Sequence, residues 1–176
     1  YNWIVFGYTI LVSLALLMLL LFLLEYKRSV FDNNSNVTFI FFNVFFFIFI
    51  QTLVIKYNLT YLYVVPLSIL PIVLKAFFDA RLALFTHVLT VLLLGFIVPD
   101  SFEFLFLHII AGIIATLTAS ELYKRANLFK AIIKITLIYM LTYFAFSIIK
   151  EGNVTEIKSI YFVLFVANGM LSFLSV

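Results

Sequence analysis

Residues 66–85 read PLSILPIVLKAFFDARLALF, and the fold follows from how this stretch is taken. Pro66 and Pro71 stand inside an apolar run, and Lys75, Asp79 and Arg81 come soon after the second proline. The apolar sequence on either side of the charged junction is long enough for two membrane crossings, 61–78 and 82–98, since about 17 to 25 mainly apolar residues span a bilayer core as a helix. A proline in an interior helical turn removes a backbone donor and kinks the helix, so the third span is expected to be a kinked helix. Ionisable residues beside lipid are costly and often functional. Pro66, Pro71, Lys75, Asp79 and Arg81 are therefore the first candidate relay or packing positions. Asp79 is also placed to cap the helix that follows, with Lys75 one turn away to pair with it.

The rest of the chain is apolar to the same degree. Hydrophobic residues make up 66% of the 176 and charged residues 11%, against about half and about a quarter in an ordinary globular domain. A soluble fold of this size cannot hide so much apolar surface; lipid as the solvent removes the conflict. There is no cysteine, which excludes a disulfide framework and a thiolate metal site. The net charge of +3 is spread between apolar segments rather than gathered in a patch, so no nucleic-acid partner is expected. Residue 1 is Tyr and the last apolar run is still open at Val176; the chain is expected to be a piece of a longer protein, truncated at its C-terminal end. Lys27 and Arg28 follow the first apolar segment instead of preceding it, which is not the pattern of a signal peptide.

Seven segments qualify as spans: 3–24, 37–55, 61–78, 82–98, 104–120, 126–149 and 160–176. Alternation with period two is absent, which argues against a transmembrane barrel. The expected fold is an all-α polytopic helix bundle, one domain over 1–176, lying in a bilayer. With the N-terminus outside, Lys27, Arg28, Lys75, Arg81, Lys124, Arg125, Lys130 and Lys134 fall at the inner side, against Lys56, Lys150 and Lys158 at the outer. That is the positive-inside arrangement, and seven spans then put the C-terminus inside. A re-entrant hairpin over the third and fourth segments is the competing topology. Asp100 with Glu103, and Asn153 with Glu156, resemble capping boxes for the fifth and seventh helices, and Asn127 is placed to cap the sixth.

Polar side chains within spans have to find partners. Asn43, Gln51 and Thr52 in the second span are expected to point at another helix. In the fifth, Ala111, Ala115 and Ala119 run beside Gly112, Thr116 and Ser120 as a smooth face for close helix approach, with His108 one turn above. A histidine bonded to a neighbouring helix is commoner than a ligand or proton contact. His87 in the fourth span has no carboxylate at ligand spacing, so no metal is expected. Asn168 and Gly169 form a weak-helix pair in the seventh, suited to a hinge or a packing notch. There is no phosphate loop, nucleophile elbow or carboxylate pair in one span, and so no catalytic residue.

The stretch 66–85, then GFIVPDSFEFLFLHIIAGIIATLTASELYKRANLFKA at 95–131, ITLIYMLTYFAFSIIKEGN at 135–153 and LFVANGMLSF at 164–173 resemble the membrane region of the seven-transmembrane HD-domain receptors. These are bacterial proteins with a cytoplasmic HD-type phosphohydrolase. The resemblance implies an extracellular domain before residue 1, an HD domain after residue 176, and hydrolysis of cyclic di-AMP at a divalent-metal site in that HD domain. His87 precedes Val88 and His108 precedes Ile109, so the His-Asp pair of such a site is not among these residues. No cofactor is therefore expected in this chain, which would serve as anchor and signal relay in the bacterial cytoplasmic membrane; a homo-oligomer stays open. The alternative, from another class, is a substrate-binding membrane subunit of a vitamin-type transporter, with a vestibule lined by Asn43, Gln51, His108 and Thr116.

Overall fold

The computed structural model describes residues 2–118, 125–153, 155 and 157–175. Its elements are α1 (Asn2–Tyr26), the single turn α2 (Arg28–Phe31), α3 (Asn34–Tyr57), a 3-10 turn (Leu59–Tyr61), α4 (Ile69–Phe77), α5 (Ala80–Gly95), α6 (Ser101–Thr118), α7 (Arg125–Glu151) and α8 (Ile160–Ser175). Among the described residues there is no strand. Four helical stretches, Trp3–Tyr26, Asn34–Tyr57, Ser101–Thr118 and Phe129–Glu151, are long and apolar enough to cross a membrane, and α5 and α8 are shorter apolar helices.

The outer surface explains the composition. Ile4, Leu14, Leu17, Leu21, Phe42, Phe45 and Phe49 are all exposed, so α1 and α3 carry apolar residues on the faces that pack and on the faces that do not. A helix that is apolar all round is stable where the solvent is hydrocarbon. α1 is the most loosely held. Leu19 and Leu23 are its buried side chains, and Phe22 stacks on Phe85 of α5 with ring centroids 4.2 Å apart. The core proper lies among α4, α5, α6, α7 and α8, where Leu70, Leu74, Leu82, Leu94, Leu107, Ala111, Ala115 and Phe165 are sealed off. Ala111, Ala115, Gly112 and Thr116 are buried together, which is the expected smooth face; Ala119 and Ser120 lie outside the described residues.

The third segment is not the kinked helix that its prolines predict. Residues 62–68 are non-helical, and α4 is nine residues long, about 14 Å at 1.5 Å per residue against about 30 Å of hydrocarbon. Pro66 lies before the helix and Pro71 is its third residue. The N–H that Pro71 lacks belongs to the first turn, where no intrahelical partner exists in any case. The prolines thus govern where the helix starts. Irregular backbone at this depth persists only when protein covers it, and Leu62, Tyr63, Val65, Leu67 and Ser68 are all buried.

Contacts at the helix termini sort the elements by end. At one end Lys27 pairs with Asp79 at 2.7 Å, Phe39 packs edge-on against Phe77, and Lys75 donates to the Thr116 carbonyl near the close of α6. At the other, Tyr8 meets Phe96, Ser101 donates to the Gly95 carbonyl, and Lys150 reaches Asp100 and Glu103. The segment 58–79 runs from the second end, at Tyr63, to the first, at Asp79.

The caps agree with expectation in part. Asp79 does cap α5, accepting from Leu82 N at 3.1 Å, but its charged partner is Lys27, because Lys75 is drawn to Thr116. Asp100 and Glu103 are committed to Lys150 through their carboxylates. Asn153 accepts from Thr155 N, seven residues ahead of Ile160 where α8 opens; Glu156 lies outside the described residues. Asn127 lies inside α7 rather than before it, with its side chain outside the described part. α7 closes on Gly152, whose φ of 64° is the left-handed conformation that a residue without Cβ adopts freely, while its N–H returns to Ile148 O.

Because Pro71 interrupts no helical hydrogen bond, Pro71→Ala should change stability by less than about 1 kcal/mol, where relieving an interior proline would change it by about 3 kcal/mol. Thermal melts of the two proteins in one detergent measure the difference.

Candidate functional site

The polar side chains that sequence places singly in separate spans meet inside the bundle. Three sets of contacts carry them from one end to the other.

At the end where Lys150 lies, its ammonium sits 2.6 Å from Glu103 Oε2 and 3.2 Å from Asp100 Oδ2. Glu103 is almost sealed, with its side chain 7% exposed. Its second oxygen accepts from Tyr63 OH at 3.1 Å. A carboxylate this deep is costly unless it is paired and hydrogen-bonded, and it is both. Around Tyr63 stand the rings of Phe104, Tyr143, Tyr161 and Phe165, with centroids 5.3 to 6.5 Å away. Aromatic pairs at such separations prefer offset or edge-on contacts, and these rings confine the tyrosine.

Below this, the unwound stretch is fastened by two amides. Gln51 of α3 donates to Leu62 O at 2.8 Å. Asn168 of α8 donates through Nδ2 to both Tyr63 O and Val65 O, each at 2.9 Å. The Leu62 and Tyr63 carbonyls, which have no helical partner, are thereby satisfied by side chains from the neighbouring helices, and Val65 O, which already accepts from Leu67 N at 2.9 Å, gains a second donor. Gln51 thus points at another segment, as expected. Asn43 and Thr52 do not: they bond back to Phe39 O and Ile48 O of their own helix, the local i−4 partner open to short polar side chains in lipid.

The third set joins α5, α6 and α7. His108 shares a 2.8 Å hydrogen bond with Tyr139 OH through Nδ1, which is the bonded, packed histidine of the commoner reading. His87 Nε2 lies 2.8 Å from the His108 carbonyl; a carbonyl only accepts, so that nitrogen carries the proton. The imidazole of His87 fits against Gly112, where a Cβ would collide with the ring. Gly169 of α8 likewise admits the Thr136 hydroxyl of α7. Gly112 and Gly169 are therefore notches for a neighbouring side chain. Further along, Thr116 bonds back to Gly112 O, and Lys75 closes on the Thr116 carbonyl.

The candidate residues accordingly divide. Lys75 and Asp79 lie at one end without pairing, Arg81 is exposed at the start of α5, and Pro66 and Pro71 frame the start of α4. His108 and Gly112 lie mid-bundle, and Asn168 holds the unwound backbone. Tyr63, Tyr139 and the Glu103–Lys150 pair were not legible as partners. Tyr63 is one of ten tyrosines, and nothing local in the chain marks it out. The four residues of the expected vestibule go to separate places: Asn43 borders a groove with Phe46 and Pro66, Gln51 is spent on Leu62, His108 on Tyr139 and Thr116 on Gly112.

Chemically, the arrangement holds backbone and joins helices. No group of three or more His, Asp or Glu suited to a metal ion occurs among the described residues.

A family model described as 7TM receptor with intracellular HD hydrolase matches residues 2–176. No curated protein and no solved structure matches the chain.

Gly112→Ala should overpack α5 against α6 and cost about 1–3 kcal/mol. His87→Ala in the same chain should return part of that loss, since it removes the ring in the way. Melting of the two single variants and the double variant checks this by its non-additivity.

Proposed function

The chain belongs to the family of 7TM receptors with an intracellular HD hydrolase, as its membrane region, and on that premise we propose that it anchors such a receptor and relays its signal across the bilayer. The observation that carries this reading is the family match along nearly the whole chain; the apolar outer faces of α1 and α3 and the sorting of contacts by end support it. In the proposed topology the chain crosses seven times in a bacterial cytoplasmic membrane, with the N-terminus outside and the C-terminus inside. The stretch 58–79 completes the third crossing as an unwound segment followed by a half-length helix. An extracellular domain precedes the bundle and an HD domain follows it in the same protein. The HD domain holds a divalent metal and hydrolyses cyclic di-AMP; the membrane region contributes no catalytic group.

The relay needs an element that both ends can bias. Residues 58–79 are the choice. They bond Glu103 at the outer end through Tyr63 and Lys27 at the inner end through Asp79, with a helix of nine residues between where a full-length one would be stiffer. Arg81, exposed beside Asp79, lies on the face an HD domain would meet. The transporter reading has no matching support, because its vestibule residues are already committed to separate internal partners.

Two measurements test this. The cysteine-free chain accepts single cysteines, and those at Asn58 or Asn153 should react with an impermeant maleimide on intact cells, whereas those at Ser29 or Lys124 should react only after permeabilisation. The opposite pattern would overturn the orientation. In the full-length receptor, Asp79→Ala with Arg81→Ala should alter the response of cyclic di-AMP hydrolysis to the outside signal by about 2- to 30-fold, the range of typical coupling energies, with insertion unchanged. A wild-type response would remove the junction from the relay.

A further inference from the structure

Tyr63 is held at both of its ends. Its hydroxyl donates to Glu103, and its carbonyl accepts from Asn168. Beyond Glu103 lies Lys150, in the last turn of α7; beyond Asn168 lies α8, the final helix. Four residues from four segments thus form one bonded line, Lys150–Glu103–Tyr63–Asn168.

We propose that this line is a latch: the Lys150–Glu103 ion pair at the outer end sets the seat of α8 through Tyr63. The inference deepens the relay reading and rests on it for its purpose, though its physical content concerns the bundle alone.

Four features support a latch over a passive tie. Access is graded along the line: the side chain of Lys150 is 40% exposed, that of Glu103 7%, and Asn168 is fully buried. Whatever approaches the bundle from outside can disturb the first member and not the last. Tyr63 is packed by rings on several sides, so its hydroxyl cannot move far without moving its backbone. Asn168 grips two carbonyls through one nitrogen, so α8 cannot slide by one residue, about 1.5 Å, without losing both. The amide oxygens of Asn168 and Gln51 are buried and have no partner in this seat. An unmet buried acceptor is costly, and a second seat that offers it an N–H donor would recover that cost. The two amides that fasten the unwound stretch therefore carry unused bonding capacity on which a second arrangement can draw.

The test uses the 176-residue chain in lipid nanodiscs, with spin labels on cysteines introduced at Leu92 of α5 and Met170 of α8, both exposed. Pulsed dipolar spectroscopy reads the distance between them. Asn168→Ala should displace or broaden the distribution. Glu103→Gln and Tyr63→Phe should each shift it the same way, and combining those two should add nothing. Lys150→Gln, at the half-exposed end where substitution is best tolerated, should reproduce the shift if a buried variant fails to fold. If Glu103→Gln, Tyr63→Phe and Lys150→Gln all leave the parent distribution while Asn168→Ala changes it, the latch is overturned and Tyr63 is packing alone. An unchanged distribution in all four variants overturns it equally. Hydrolysis by the full-length receptor separates the two ideas. A shifted α8 with signal-dependent hydrolysis untouched would stand against the relay and leave the latch in place.

Discussion

Two carbonyl groups, those of Leu62 and Tyr63, govern the organisation of this bundle. They lie in backbone that has left the helical pattern and is buried. An unsatisfied backbone group in such surroundings costs several kcal/mol. Gln51 from α3 and Asn168 from α8 satisfy them, and in doing so they fix where α3 and α8 stand relative to the third segment. Tyr63 then carries the same fastening on to Glu103 and Lys150. Much of the buried polar chemistry follows from this single need.

The helices sort by how they meet it. α1 and α3 satisfy their backbones internally and show apolar residues in every direction, so lipid can surround them at little cost. The core between α4 and α8 is different. It uses close approach, with Gly112 receiving His87 and Gly169 receiving Thr136, and it uses internal hydrogen bonds such as His108 to Tyr139. In lipid there is no hydrophobic drive between helices, so fit and polar bonding have to supply the cohesion. The buried Ala111 and Ala115 face on α6 carries no side chain larger than a methyl group, which allows a neighbouring helix to approach closely.

What could be read from the chain was what depends on neighbours in sequence. The all-helical membrane class, the Asp79 cap, the small-residue face on α6 and the bonded state of His108 all rest on local pattern or on a residue's own needs. The family itself was legible from Pro66–Phe85 and the segments after it. What could not be read depends on partners far along the chain. Asp79 had Lys75 at helical spacing, yet Lys27 takes it. Asn43 looked like a link between helices, yet its own i−4 carbonyl is nearer. Two prolines in an apolar run look like a kink; whether they bend a helix or delay its start turns on whether side chains such as Asn168 are there to hold the unwound backbone.

That dependence bears on how the protein is made. Asn168 and Tyr63 are 105 residues apart, so Tyr63 enters the membrane long before its partner has been synthesised. The first two long helices can settle as they emerge, each complete in its hydrogen bonding. The third segment cannot. The Tyr63 carbonyl must stay near water, or be shielded by the insertion machinery, until α8 arrives, and the seating of the last helix is therefore also the step that completes the third.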